Sequence, residues 1–419
     1  MNGFRSRSLS FRVVLMAAFA VVVSLAPAHA EEVSGVTANS ILIGSCSALE
    51  GPARFLGTQT VLGATAYIHY INEQGGVNGR KIKLLAFDDS YDPDKAPACF
   101  KRMQREGVFA LGFFVGTPTA AKYVPLANED KVPVIGLFTG AQLLYEPLKH
   151  YVINVRASYY DETREQVDKL WNDLGVHKIG VIYQDDAFGK AVLSGVELAL
   201  QKHHATPAGL GTFPRNTLDV QAGLDRVLAD HPQAIIVVGP YAPVAEIVTK
   251  AHKAGAHTLF LTVSFVGSEE FIKTAGKDAE GTIITQVVPP YDRTDFRTVA
   301  LYRDTLKMYY SDAAPSFASF EGFVDAMVLV EGLKRAGKNL TREKLISSIE
   351  SIHKMDVGLG SSFLLDYGPG DHKGFDRVYD TIVRDGKPVI FTNWKTLANQ
   401  NESAGGSHPQ LQMTSEEGR

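Results

Sequence analysis

Hydrophobic positions along this chain alternate between two periods. Short, nearly continuous apolar runs occur at Ile41–Ser45, Lys81–Phe87, Phe109–Val115 and Val132–Leu137, the pattern of strands buried in a parallel sheet. Between them, apolar residues recur at helical spacing, with Val61, Ala64, Ile68 and Ile71 forming one stripe in Leu56–Glu73, and helices predicted over Lys95–Glu106 and Thr119–Glu129. Gly75-Gly76 and Asn78-Gly79 punctuate the first helix-to-strand passage. The rhythm restarts with helix Asp161–Leu174, strand Lys178–Tyr183, helix Ala187–His203, strand Ala234–Val238, helix Val244–Ala254, and strands His257–Val263 and Thr282–Val287. Strand–helix alternation of this kind predicts parallel sheets covered by helices on both faces. Three successive helices follow, at Asp295–Tyr310, Ser316–Ala336 and Thr341–Ile352. They bring too little strand for a domain of their own and are expected to return to the first sheet. Phe375–Trp394 reads as two strands around an Asp385-Gly386 turn, returning to the second sheet.

The expected fold class is therefore α/β, with two doubly wound, Rossmann-like lobes joined by a three-stranded hinge. Lobe 1 takes residues 34–156 and 289–358, lobe 2 takes 157–288 and 359–396, and a polar tail over 397–419 is expected to be disordered. Ligands of open α/β sheets bind beyond the carboxyl ends of the strands. Two such ends facing each other make a cleft that can close on a small molecule.

The first thirty residues change the picture. Arg5, Arg7 and Arg12 lead into the apolar run Val13–Leu25, and Ala28-His29-Ala30 forms a small-x-small cleavage site. The chain is expected to be exported through a signal peptide cleaved before Glu31. Removing thirty of 419 residues leaves 389, enough for two domains. Losing three arginines takes the net charge from −4 to −7, which argues against nucleic acid and anionic membrane as partners. Export also argues against ordinary ATP, NADH or DNA chemistry. No cysteine follows the apolar run, so no lipid anchor is expected. Two readings of Cys46 and Cys99 stand open: a disulfide, or two buried thiols acting as small hydrophobes. No metal-ligand spacing is present, and neither cofactor nor metal is expected.

Several segments, taken in order, resemble one family. They are SALEGPARFLG (47–57), NEQGGVNGRKIKLLAFDDSYDP (72–93), VGTPTA (115–120), KVPVIGLFTGA (131–141), YQDDAFGK (183–190) and VGPYAP (238–243). The chain from Val36 to Trp394 is similar to the type I periplasmic solute-binding proteins of the branched-chain amino acid family. The resemblance implies a two-lobed receptor that captures a solute and delivers it to an ATP-driven importer (an ABC permease) in the inner membrane. The receptor is expected to act as a monomer.

Candidate site residues follow. Gly116-Thr117-Pro118-Thr119 joins a strand to a helix N-terminus, where hydroxyls and free N–H groups suit an anion. The resemblance places the ligand carboxylate there and on the next turn, onto Thr117, Thr119 and Thr139, with Phe138 narrowing the pocket. Ser47 and Phe55 belong to the first loop; Arg54, its only basic residue, is expected to face solvent. Phe188 and Tyr241 match the family's aromatic cover, and Tyr159 follows the first crossing. In the family a glutamate after the strand corresponding to TLFLTV holds the α-ammonium of an amino acid. Here Ser264 stands in its place, followed by Phe265. A serine does not neutralise a buried ammonium. Unless Asp185, Asp186 or Glu321 does so, the expected ligand is a carboxylate with an apolar or aromatic body rather than an α-amino acid. No GxSxG, SxxK or paired-acid pattern supports an exported enzyme. The adjacent Asp88 and Asp89 read as a turn capping the helix at 95–106. A periplasmic sensor docking to a membrane signalling protein is the alternative to a transport receptor.

Overall fold

The computed structural model describes residues 33–361 and 363–397. The leader and almost all of the expected tail lie outside the described residues. Leu397, assigned to the tail from sequence, instead ends a short helical turn and packs against buried side chains.

The first sheet is built from β1 (Ser40–Ser47), β2 (Lys81–Asp88), β3 (Ala110–Gly112), β4 (Val134–Ile135) and β5 (Val152–Ile153). Its order is β2-β1-β3-β4-β5, with every pairing parallel. Helices α1 (Arg54–Glu73), α2 (Ala96–Arg105) and α3 (Thr117–Glu129) connect the strands. Strands β3 and β4 are shorter than their apolar runs predict because Phe113 and Gly136, at φ 64° and 63°, turn the backbone out of extended geometry.

The second sheet takes β6 (Ile179–Gln184), β7 (Gly209–Phe213), β8 (Ala234–Val238), β9 (Leu259–Thr262), β10 (Ile283–Gln286), β13 (Tyr379–Arg384) and β14 (Lys387–Ile390). Its order is β14-β13-β10-β9-β8-β6-β7, parallel except where the terminal hairpin joins β10. Helices α4 (Tyr159–Leu174), α5 (Ala187–Gln201), α6 (Gln221–Leu228), α7 (Tyr241–Lys253) and α8 (Ser268–Ala275) surround it.

Helices α9 (Arg297–Tyr309), α10 (Phe317–Ala336) and α11 (Arg342–Glu350) return to the first sheet. One core joins Ile43, Ile68, Phe320, Phe323 and Ile349; across the sheet a second joins Phe100, Leu111, Phe114 and Val124. That second core holds a Cys46–Cys99 disulfide, with Cα atoms 6.2 Å apart. The return to the second sheet comes later than the expected residue 359. Leu359, Phe363, Leu365, Tyr367 and Phe375 belong to the first core. The cause is local pairing. The short hairpin of β11 (Met355–Asp356) and β12 (Leu364–Leu365) is followed by residues bonded along the β5 edge. There the Tyr367 hydroxyl donates to Asn154 O at 3.0 Å, and Asn154 N donates to His372 O at 2.9 Å.

Helices α1 and α10 touch backbone to backbone. A Cβ on Gly63 would collide with the Ser319 carbonyl, and one on Gly322 with the Thr60 carbonyl. Asp88 and Asp89 brace loops rather than cap α2. The Asp88 carboxylate accepts from Leu49 N and Glu50 N, each at 2.9 Å, and Asp89 accepts from Tyr91 N at 2.9 Å. The start of α2 is instead served by the Asp92 carbonyl, which accepts from Lys95 N at 3.0 Å.

Two expectations follow. Gly63→Ala gains helix propensity but forces two helices apart, and should cost on the order of 1–3 kcal/mol in urea unfolding. Burial pushes Asp89 up to about 7, opposed by the Tyr91 N–H and reinforced by Asp88 and Asp92. The folded chain thus keeps a proton that the unfolded chain releases near pH 4. Stability should fall as pH rises from about 4 to about 7 and then level off. Asp89→Asn should flatten that slope in unfolding experiments at pH 5 and 7.5.

Candidate functional site

The carboxyl ends of the two sheets face each other across buried side chains. β1 ends at Ser47, β3 runs on to the Gly116–Thr117 start of α3, and β4 to Phe138-Thr139. From the other side come the start of α5 after β6, the start of α7 after β8, and the 3-10 turn Ser264–Val266 after β9. Val115 and Phe138 form a parallel bridge that carries β3 and β4 to this face.

Phe265 is the centre of an aromatic group drawn from both sheets. Its ring lies 4.4 Å from Phe188, 5.6 Å from Phe138 and 5.8 Å from Tyr91. Tyr159 stands 5.4 Å from Phe188, and all five rings are buried. Phe55 and Tyr241 meet edge to face at 6.0 Å nearer the rim, where Phe55 is half-buried. Arg54 is exposed, in keeping with its expected place in solvent.

The hydroxyls divide by what they bond. Thr117 and Thr139 share a 2.6 Å hydrogen bond and have no charged partner. The buried Ser47 and Tyr159 hydroxyls have no partner within the described residues. Thr119 differs from Thr117. Its hydroxyl turns back onto its own helix, donating to Val115 O at 2.8 Å and Gly116 O at 3.0 Å. Sequence pattern alone does not separate the two threonines, because both sit in the first turn and only helical phase decides which one faces the cleft.

Sequence reasoning missed the group that organises the charges. Arg156, in the first crossing between the sheets, is 2% exposed. Its guanidinium bonds Glu162 Oε1 at 2.8 Å, Glu321 Oε1 at 3.0 Å and the Ser264 hydroxyl. It also lies 5.5 Å from the centroids of both the Phe138 and Tyr159 rings. Burial opposes its charge, but Glu321 and Glu162 more than offset that, so its pKa is raised and it stays a cation. Burial and then the charge of Glu321 push Asp325 well up, against the opposing pull of Arg156. The one available signal was position: Arg156 is the only basic residue between His150 and Arg164, at a junction where a hinge was expected.

Ser264 does not face a ligand ammonium. Its hydroxyl donates to Glu162 Oε1 at 2.9 Å, and its N–H donates to Glu162 Oε2 at 2.8 Å. Thr285 adds a 2.7 Å bond to the same oxygen. With Arg156, Glu162 receives four donors, the capacity of a carboxylate. The three acids offered as substitutes are committed as well. Glu321 accepts from Arg156 through both oxygens. Asp186 caps α5 at Phe188 N (2.9 Å) and takes Gln184 Nε2 at 2.6 Å, while Asp185 pairs with Lys190 at 3.0 Å outside the cleft.

Comparison with known proteins agrees with this architecture. The family model for periplasmic binding proteins matches residues 40–386. Among curated relatives, a Leu/Ile/Val-binding protein homolog of Brucella melitensis is 20% identical over 373 residues, covering 88% of this chain and 96% of its own. Among solved structures, a possible leucine/isoleucine/valine-binding protein from Rhodopirellula baltica superposes with a TM-score of 0.81 at 31% identity, covering 88% of this chain and 99% of that one. A substrate-binding periplasmic protein from Ralstonia solanacearum gives 0.78 at 28% identity over 84% of this chain and all of its own. The chain belongs to the periplasmic binding protein family.

Proposed function

We propose that this chain captures a small carboxylate with an apolar or aromatic body, without an α-ammonium, in the cleft between its two sheets. It would do so in the periplasm, as a monomer and without catalysis, and deliver the solute to an inner-membrane ABC permease. Family membership and the export leader support the transport role. One observation carries the ligand class: the carboxylates of Glu162, Glu321 and Asp186 are each committed to donors of the protein itself. A ligand ammonium buried beside them would lack a counter-ion, at a cost of several kcal/mol. Neutral hydroxyls, in contrast, are present on Thr117, Thr139, Tyr159 and Ser47. Together with the N–H groups at the start of α3, they suit an anionic head without a full opposing charge. The rings of Phe138, Phe188 and Phe265 suit an apolar body, with Tyr241 and Phe55 at the rim.

Binding proceeds by closure. The solute head docks at Thr117 and Thr139 on the first sheet, and the aromatic residues of the second then cover it. The closed form is favoured by the solute's differential affinity for it.

Titration calorimetry with 4-methylpentanoate, phenylacetate and leucine tests the ligand class. At least one acid should bind roughly tenfold or more tightly than leucine; leucine binding more tightly than both acids overturns the reading. Thr117→Ala combined with Thr139→Ala should weaken acid binding about tenfold or more, the worth of one to two charge-assisted bonds. Equal affinity in the double variant removes the anion turn from the site.

A further inference from the structure

Tyr91 was not among the candidate residues, yet its surroundings tie it to both halves of the molecule. It follows β2 in the segment Asp88-Asp89-Ser90-Tyr91, on the first-sheet side. Ser90 and Tyr91 both have φ of 55°, two consecutive non-glycine residues in the left-handed region. For a bulky aromatic residue that conformation costs on the order of 1–2 kcal/mol and persists only where its surroundings hold it.

The surroundings supply that hold. The Asp89 carboxylate accepts from Tyr91 N at 2.9 Å. The ring is fully buried against Gly116, where a Cβ would collide with it, so glycine is required beside Thr117. Both remaining polar groups of Tyr91 bond the opposite half. Its hydroxyl accepts from Gln184 Nε2 at 3.1 Å, at the end of β6. Its carbonyl accepts from Arg215 Nη1 at 2.7 Å, just beyond β7. Arg215 also lies 3.5 Å from Asp186, whose other oxygen caps the helix carrying Phe188.

A groove of about 630 Å³ runs along this junction. Its lining includes Pro93 and Pro118 from one half and Asp186, Phe213 and Arg215 from the other. These are Tyr91's partners or their neighbours in sequence. On its other side, the Tyr91 ring faces Phe265 at 5.8 Å. The fully buried Tyr91 does not line the groove itself, but it bonds Arg215, which does, and its ring neighbours the aromatic group.

We propose that Tyr91 is the residue that seals the solute site on closure: its hydroxyl and carbonyl are gripped by Gln184 and Arg215 of the second half, its ring packs against the Phe265 group, and it sets the rate of solute release. The proposal rests on the reading of the interlobe cleft as the solute site. In the open form Tyr91 loses both cross-bonds and keeps only the hold of Asp89 and Gly116 on its own half.

The test uses the whole exported chain with spin labels at Lys101→Cys and Lys253→Cys, exposed positions on the two halves. Interlobe distances are measured without solute and with phenylacetate or 4-methylpentanoate, and release rates of the same acids are followed by stopped flow. Tyr91→Phe and Arg215→Leu each remove one cross-bond. Each should lower the closed-to-open ratio and raise the release rate roughly fivefold to tenfold. Association rates should stay within about twofold and the thermal midpoint of the solute-free protein should not move, which separates sealing from a general loss of stability. A wild-type closed population and release rate in both variants overturns the proposal, as does a wild-type protein with no closed population under any condition. If neither acid binds but the closed population falls in both variants, the ligand class is wrong and the seal stands. If the acids bind and the variants release them at the wild-type rate, the seal is wrong and the ligand class stands.

Discussion

The buried guanidinium of Arg156 is the constraint on which the two-lobed arrangement depends. It leaves the first sheet on the crossing segment, reaches Glu321 in α10 on the first-sheet side, and bonds Glu162 and Ser264 on the second. Such an ion group is costly to bury, and its Coulomb attraction offsets the desolvation only when geometry and hydrogen bonds are complete. Here completion draws on α4, α10, the turn after β9 and strand β10 at once. Removing either partner leaves a charge in a site with almost no exposure, so these elements are held in one mutual geometry near the crossing. Farther from it the halves meet through the rings around Phe265, the bonds of Tyr91 to Gln184 and Arg215 and, at the rim, Phe55 edge-on to Tyr241. A hinge needs this contrast between a fixed axis and a separable rim.

The same ion group shapes the recognition surface beside it. By saturating Glu162 and Glu321, Arg156 removes free anionic charge from the end of the second sheet. By lying near the Phe138 and Tyr159 rings, it places a cation against their electron-rich faces. On the proposed reading, a solute would meet neutral hydroxyls on one side and aromatic surface on the other. Buried hydroxyls without partners are unfavourable in a finished core, typically by a kcal/mol or more each. The Ser47 hydroxyl, at the end of β1, and the Tyr159 hydroxyl, at the start of α4, are two such groups among the described residues.

Much of the fold was legible because βα units advertise themselves by period. The stripe of α1, the apolar runs of β1, β2, β6 and β8, and the Asp385-Gly386 turn all appear at or within a few residues of their expected positions. What was not legible had little apolar signal. β7 carries two glycines in five residues, and β5 is two residues long. The late return after Phe375 depends on hydrogen bonds between segments over 200 residues apart, which no local pattern encodes. At the site, residue types at strand ends pointed to Phe138, Phe188, Phe265 and Thr117. The roles of Thr119 and Ser264 turned instead on which way a hydroxyl points, and that is set by helical phase and by Glu162, a partner 102 residues from Ser264. Arg156 and Tyr91 escaped for a related reason. An arginine or tyrosine in a loop reads as exposed until a distant carboxylate or a facing glycine is known to be there.

If the halves close on a solute as proposed, the same arrangement would keep closure reversible rather than permanent. Joining the halves as proposed would bury aromatic rings and bond Gln184 and Arg215 to Tyr91, but it would also enclose neutral hydroxyls. Gains of about 1 kcal/mol per cross-bond would thus be opposed by missing bonds of similar size. The two forms then lie within a few kcal/mol of each other, the range in which a ligand can redistribute them. A solute that satisfies the hydroxyls removes an opposing cost without adding strain, so its binding energy goes directly into the closed form. One that brought an ammonium would add a new unpaired charge and hold the halves apart. On the proposed reading, selectivity and closure would be the same free-energy difference, set at the strand ends by which charges the protein has already neutralised for itself.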